Sequence, residues 1–244
     1  MLLKVKNLYK KFGSVVAANN INFSMQNNET IGVIGSNGAG KTTFCNMITG
    51  YTKADEGEIF LKESNITKKS VQDIKKIGIH RSFQIPQIFE NLSVLENIIV
   101  AHLVAKNKQN TISEKAVNKE NVLLSEDMLE KFNLISSKDV IANTLPQGVR
   151  KVLDILIAIQ GNPLILLLDE PTSGVSSDEK NKLMQSIISS LEALNISVMF
   201  VEHDMEIVEK FSRRVIAFYN GEIIADGNPQ EVLSKKDVKK YIVG

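Results

Sequence analysis

The chain has 244 residues, with 29 Lys and Arg against 28 Asp and Glu, and this net charge of +1 offers no electrostatic footprint for nucleic acid. Its one cysteine, Cys45, excludes an internal disulfide and fits a reducing compartment, where it is expected as a small buried filler. No apolar run approaches the roughly 20 residues of a membrane span, Met1 to Lys6 alternates like a strand rather than reading as a signal peptide, and the length suits one large domain or two small ones.

Leu3 and Val5 alternate with polar neighbours, as do Ile21, Phe23 and Met25, so the chain opens in strands. The strand-like run Thr30 to Ile34 leads directly into Gly35-Ser36-Asn37-Gly38-Ala39-Gly40-Lys41-Thr42-Thr43. This is the P-loop pattern G-x-x-x-x-G-K-[ST] in the strand-to-helix context it requires. Its glycines let backbone N–H groups turn toward a polyphosphate, and a helix opening at Thr42 presents its positive end to the same anion. Lys41 supplies a point charge for β- and γ-phosphates, and the Thr42 hydroxyl is placed to ligate Mg²⁺. A bound nucleotide is therefore expected on residues 35–43.

Gly57 to Leu61 and Ile77 to Phe83 read as further strands, and Gln84 follows the second with an amide that can contact Mg²⁺ or water. From Ser93 the periodicity becomes helical: Val94, Leu95, Ile98, Ile99, His102 and Leu103, then Val122, Leu123, Met128, Leu129 and Phe132. Residues 87–160 thus read as an all-helical subdomain inserted into an α/β core formed by residues 1–86 and 161–244.

Leu164 to Leu168 is the continuous apolar run of a buried parallel strand, and it ends in Asp169-Glu170. A strand-end carboxylate beside a P-loop is where a second Mg²⁺ contact belongs, which assigns Asp169. Glu170 can then polarise the water that attacks the γ-phosphate. A helix over 178–194 and a strand Ser197 to Val201 follow, and His203, just past that strand, ends on the P-loop side and can reach the γ-phosphate or the water. His80 and His102 read as structural. Asn220-Gly221 between two apolar runs is a hairpin signal, and the last fifteen residues, with Lys235, Lys236, Lys239 and Lys240, read as a solvated amphipathic helix.

The order P-loop, Gln84, helical insert, Leu145-Pro146-Gln147-Gly148, Asp169-Glu170-Pro171 and His203 resembles the nucleotide-binding subunit of ABC transporters over the whole chain. The resemblance implies an α/β fold: a P-loop NTPase (RecA-like) core with an N-terminal antiparallel β subdomain and an inserted α-helical subdomain. It also implies Mg²⁺ and ATP as ligands, Phe12 stacked on adenine, and two subunits sandwiching two ATP molecules head to tail. The stretch Ser82 to Ile98 and the segment Val201-Glu202-His203-Asp204-Met205 are similar to those of branched-chain amino acid importer ATPases. That likeness implies integral membrane permease subunits, a periplasmic or extracellular binding protein and a peripheral location on the cytoplasmic face of the bacterial inner membrane. It makes Ile85 to Phe89 the transmission contact; packing onto the helical subdomain is the alternative. An exporter ATPase such as that of lipopolysaccharide export, a soluble ABC ATPase and a regulatory nucleotide-binding module are the other functions compatible with the cassette.

Two motifs depart from the family pattern. Pro146 and Val149 replace the serine and final glutamine of the LSGGQ-type signature, and Ser176 stands where the D-loop usually has aspartate. A helix beginning near Gly148 is expected to survive, because proline is tolerated at a helix start, and the Gly148 N–H remains available to an anion. Both departures fall on the half-site offered to a partner, so a second, different ABC ATPase subunit is expected in preference to a homodimer.

Overall fold

A computed structural model of the protein describes residues 1–82, 84–106 and 119–243. Phe83, residues 107–118 of the expected helical insert, and Gly244 lie outside the described residues. The apolar runs form the centre of a six-stranded sheet in the order β10-β9-β3-β8-β7-β6. Its strands are β3 (Thr30–Gly35), β6 (Ile79–Arg81), β7 (Ile165–Asp169), β8 (Ser197–Val201), β9 (Arg214–Tyr219) and β10 (Glu222–Gly227). All neighbours pair parallel except β9 with β10, the hairpin closed by Asn220-Gly221.

Alternate residues of these strands face two separate cores. Leu166, Leu168, Val198, Phe200, Val215 and Ala217 join one apolar cluster; Ile165, Leu167, Met199, Val201, Ile216 and Phe218 join the other. A parallel sheet covered on both faces needs uninterrupted hydrophobic strands, which is why Leu164 to Leu168 shows no polar alternation. Each fully buried aliphatic or aromatic side chain contributes roughly 1.5–3 kcal/mol.

The first face is covered by α3 (Val94–Ala105), α4 (Lys119–Lys131), α5 (Gln147–Ala158), α6 (Ser177–Ala193) and α7 (Met205–Phe211). The second is covered by α1 (Lys41–Ile48) and an antiparallel sheet of order β2-β1-β4-β5, with β1 (Leu3–Phe12), β2 (Val15–Met25), β4 (Glu56–Leu61) and β5 (Ser64–Asn65). Phe44 of α1 sits between Phe23 and Phe218, at centroid distances of 5.6 and 5.2 Å, and so joins the two sheets. The expected α/β fold with an antiparallel β subdomain is what forms. α3 starts where Ser93 and Glu96 make a reciprocal capping box.

Two local expectations change. The strand expected over 77–83 is β6, only Ile79–Arg81, because Ile77 caps the short helix α2 (Val71–Lys76) and Gly78 takes φ 105°. That helix has a legible start in Ser70, whose side chain accepts from the Asp73 N–H. The signature helix survives as expected and begins at Gln147, next to Gly148, with Pro146 as its N-cap. The C-terminal segment is not one solvated helix. It breaks at Lys235 between α8 (Pro229–Ser234) and the short turn α9 (Lys236–Val238), buries Val232 and Val238, and stacks Tyr241 on Tyr219 at 4.3 Å.

Candidate functional site

Because the core strands run parallel, β3, β6, β7 and β8 all end on one edge of the sheet, where α/β folds bind ligands. β3 ends at Gly35 and passes through the P-loop into α1, whose N-cap Gly40 has φ 105°. A Cβ at Gly40 would lie 2.4 Å from the Ala17 carbonyl oxygen, so only glycine allows this approach of loop to β subdomain. Lys41 Nζ donates to the Gly35 and Ser36 carbonyls at 2.6 and 3.0 Å. Burial pushes this ammonium below its ordinary pKa, opposed by the charges of Glu170 and Asp169. Asn37 to Thr43 line a cleft of about 160 Å³ together with Asp169, Glu170 and His203. A larger hollow of about 800 Å³ beside β4 and β5 holds none of these groups.

Glu170 is the most constrained residue of the cleft. It leaves β7 in the left-handed region, φ 48°, an unfavourable conformation for a non-glycine residue. Its N–H bonds to the Val201 carbonyl at 3.0 Å, and its own carbonyl accepts from Lys151 Nζ at 2.7 Å. Its carboxylate accepts from Gln84 Nε2 at 2.8 Å, and His203 Nε2 lies 3.2 Å from the other oxygen. The structure therefore gathers Gln84, Glu170 and His203 around one carboxylate. A carboxylate offers about four acceptor positions, so capacity remains for a water.

Asp169 pairs with Arg81 Nη2 at 2.5 Å, and Arg81 Nη1 also donates to Asn46 of α1 at 2.5 Å. Buried Glu202 accepts from the Thr172 N–H and hydroxyl at 2.9 and 2.7 Å, fixing the turn after Pro171, while its other oxygen accepts from the His203 N–H at 3.2 Å. Lys151 is buried, and burial lowers its pKa against the pull of Glu202, Glu170, Asp154 and Asp169. Arg81, Asn46, Lys151 and Glu202 escape motif reading. The sequence signal for Arg81 and Glu202 is their place at the ends of β6 and β8, on the same edge as Asp169. Lys151 carried none, since it reaches the cleft only through the packing of α5 on the sheet.

Phe12 and Gly148 do not line the cleft. Phe12, at the end of β1, is 50% exposed under the Lys10 ammonium, with 5.2 Å from nitrogen to ring centroid, so it is not a core aromatic. Gly148 lies in the first turn of α5 facing Val175, where a Cβ would meet that side chain at 3.7 Å. Cys45 is buried as expected, its thiol pushed up to about 12 by burial. His80 takes the structural role expected of it, with both ring nitrogens on the carbonyls of Ala158 and Lys75.

The Thr42 hydroxyl, the Asp169 carboxylate and the Gln84 amide offer oxygen donors only, and no group of three or more His, Cys, Asp or Glu could hold a metal among the described residues. One carboxylate with neutral oxygens suits a hard cation that completes its shell with phosphates and water, as Mg²⁺ does.

A P-loop facing a strand-end Asp-Glu pair defines a nucleotide-hydrolysing P-loop protein. The family model described as ABC transporter matches residues 18–173, and this chain belongs to that family and hydrolyses ATP. It is 31% identical over 246 residues to the probable branched-chain amino acid transport ATP-binding protein LivG of Archaeoglobus fulgidus, covering 100% of this chain and 95% of the relative. To the high-affinity LivG protein of Escherichia coli K12 it is 31% identical over 249 residues, covering 100% and 98%. Among solved structures, a nucleotide-free ATP-binding cassette from an ABC transporter superposes with TM-score 0.85 at 30% identity over 97% of this chain and 96% of that one. The ADP conformation of an ATP-binding cassette gives TM-score 0.85 at 30% identity, covering 98% and 97%. Among the described residues, no helix is long and apolar enough to cross a membrane.

Proposed function

We propose that this chain is the ATP-hydrolysing subunit of a membrane importer for branched-chain amino acids or related small amino acids and amides. The observation that carries the reading is full-length similarity to importer ATPases combined with Gln84, Glu170 and His203 gathered at the P-loop cleft. Residues 35–43 cradle the phosphates, Phe12 stacks on adenine, and Thr42, Gln84 and Asp169 hold Mg²⁺, which neutralises phosphate charge when bound. Glu170 orients and deprotonates the attacking water. His203 fixes the carboxylate from one side and Gln84 from the other. Residues 1–86 and 161–244 serve as the catalytic core, and 87–160 as the signature subdomain.

The chain works peripherally, on the cytoplasmic face of the membrane, against integral permease subunits that receive substrate from an external binding protein. Support for the transmission contact lies in how its segment is held. Buried Asn97 accepts from the Phe89 N–H and donates to the carbonyls of Phe89, Leu92 and Ser93, while Asp154 accepts from the Gln87 N–H. That scaffold leaves Ile85 75% and Phe89 47% exposed while Ile88 packs inward. Two exposed apolar side chains on a pinned loop suit a helix of a permease.

The composite site is completed by a second ABC ATPase subunit. Pro146 lacks the hydroxyl and backbone donor of the usual signature serine, each typically about 1 kcal/mol, so this chain's Gly148 N–H serves its partner weakly. Reconstitution with two permeases, a second ATPase and a binding protein tests the whole reading: ATP-dependent uptake of radiolabelled leucine into vesicles is expected. Uptake without this chain, or full ATPase turnover by its homodimer alone, refutes it.

A further inference from the structure

Arg81 stands beside the cleft without lining it. Its side chain is 8% exposed, and its two terminal nitrogens are spent on different elements, Asp169 at the end of β7 and Asn46 of α1, both at 2.5 Å. β6 pairs with β7 so that Arg81 is in register with Leu167, two residues before Asp169, and the guanidinium therefore comes to the carboxylate from the neighbouring strand. Asn46 follows Thr42 by four residues on α1, which puts both on one helix face. The fork thus ties together the two elements that carry Thr42 and Asp169.

The charge balance of this corner is unusual for a metal site. Asp169 and Glu170 are met by three resident cations, Arg81 in direct contact with Asp169, and Lys41 and Lys151 within the electrostatic reach of both carboxylates. A divalent cation arriving alone finds the Asp169 charge already matched by a guanidinium in direct contact and is repelled by that guanidinium. A polyphosphate in the P-loop reverses that balance, because it brings several negative charges and engages Lys41.

We propose that Arg81 is a resident counter-cation on Asp169, a positioning residue that makes entry of the divalent metal conditional on bound nucleotide. The inference rests on the reading of Asp169 as a metal-holding residue. Arg81 orders the carboxylate through Oδ2 and competes with a lone metal for it, so metal binding and nucleotide binding become coupled.

The test is a Mn²⁺ titration of the full chain, followed by electron paramagnetic resonance, with and without ATP. The wild-type chain should take up Mn²⁺ appreciably only with nucleotide. Arg81→Met should bind Mn²⁺ without nucleotide about tenfold or more tightly than wild type at low ionic strength. Arg81→Gln, which keeps a hydrogen bond and loses the charge, should do the same should the methionine variant fail to fold. Arg81→Lys should retain the wild-type requirement for nucleotide. Neutral variants that bind Mn²⁺ alone no better than wild type, or a lysine variant that behaves like them, overturn the proposal. Asp169→Asn separates the underlying reading: if it leaves Mg²⁺-dependent nucleotide binding unchanged, the metal assignment itself has failed. If it abolishes that dependence while the neutral Arg81 variants stay like wild type, only the role of Arg81 has failed.

Discussion

On the proposed function two helix N-termini serve nucleotide, that of α1 in this chain's own cleft and that of α5 in its partner's, and they are built in opposite ways. α1 begins at a glycine N-cap, its first residue Lys41 is buried and bonded to loop carbonyls, and acidic and histidine side chains from two strand ends share its cleft. α5 begins at Pro146, with no side-chain cap. Its first residue, Gln147, reaches toward the Ser173 carbonyl at 3.4 Å and lies across Gly174 of the D-loop. The first carries charged and hydrogen-bonding side chains around its N-terminus, whereas the second keeps little beyond helix geometry and the Gly148 N–H to offer an anion. On that reading the chain keeps the half-site it uses and thins out the half-site it lends, because the two are carried by different elements.

The sharpest break of this comparison is Glu170→Gln, which should lower ATP turnover by ~10²–10⁴ while ATP still binds. Unchanged hydrolysis would remove Glu170 from the water-activating role. Lys41→Ala should weaken ATP affinity by roughly 10–10²-fold, since a hydrogen bond to a charged group contributes about 1.5–3 kcal/mol. Equilibrium binding of a fluorescent ATP analogue checks this, and wild-type affinity would contradict the phosphate assignment.

On the signature side the effects should be smaller. Gly174 has φ 75°, and a Cβ there would fall 2.1 Å from Gln147 Nε2. Gly174→Ala should therefore cost about 1–2 kcal/mol of stability from the backbone alone, read as a lowered Tm, and should push Gln147 off the D-loop. A Tm lowered by no more than this backbone cost would mean that Gln147 moves freely and the two loops are not coupled. Pro146→Ser sharpens the comparison most finely. A serine N-cap adds about 0.5–1 kcal/mol to the helix, offset by about 0.4–1 kcal/mol of chain entropy lost with proline, so Tm should scarcely move. Turnover by the homodimer should nevertheless rise several-fold as the hydroxyl returns. If it does not, Pro146 is not what limits the lent half-site.

Much of the nucleotide corner was legible because its residues are contiguous or sit at the ends of apolar runs. Gly35 to Thr43 is one segment, and Asp169-Glu170 and His203 each follow a buried strand, so parallel pairing alone brings them to one edge. Gln84 was legible only in part, because the strand before it is short. Asn46 and Lys151 were invisible and Arg81 was marked only by its place at the end of a short strand, since each belongs to the site through a contact between residues far apart in sequence: Arg81 with Asp169 across 88 positions, Lys151 with Glu170 across 19. The C-terminal segment misled for a related reason. Its lysines suggested a solvated face, while Val232 and Val238 are drawn into the core and Tyr241 onto Tyr219.

The sequence by itself determined the P-loop, the uninterrupted apolar runs that build a sheet covered on both faces, and the family, because each is encoded by local spacing and residue type. Tertiary structure alone decided that Glu170 leaves its strand in a left-handed turn under the Lys151 ammonium, and that Asp169 is already held by a buried guanidinium. Those are electrostatic and steric consequences of which helix and strand meet at the sheet edge. No linear pattern carries that information, because the partners are chosen by packing.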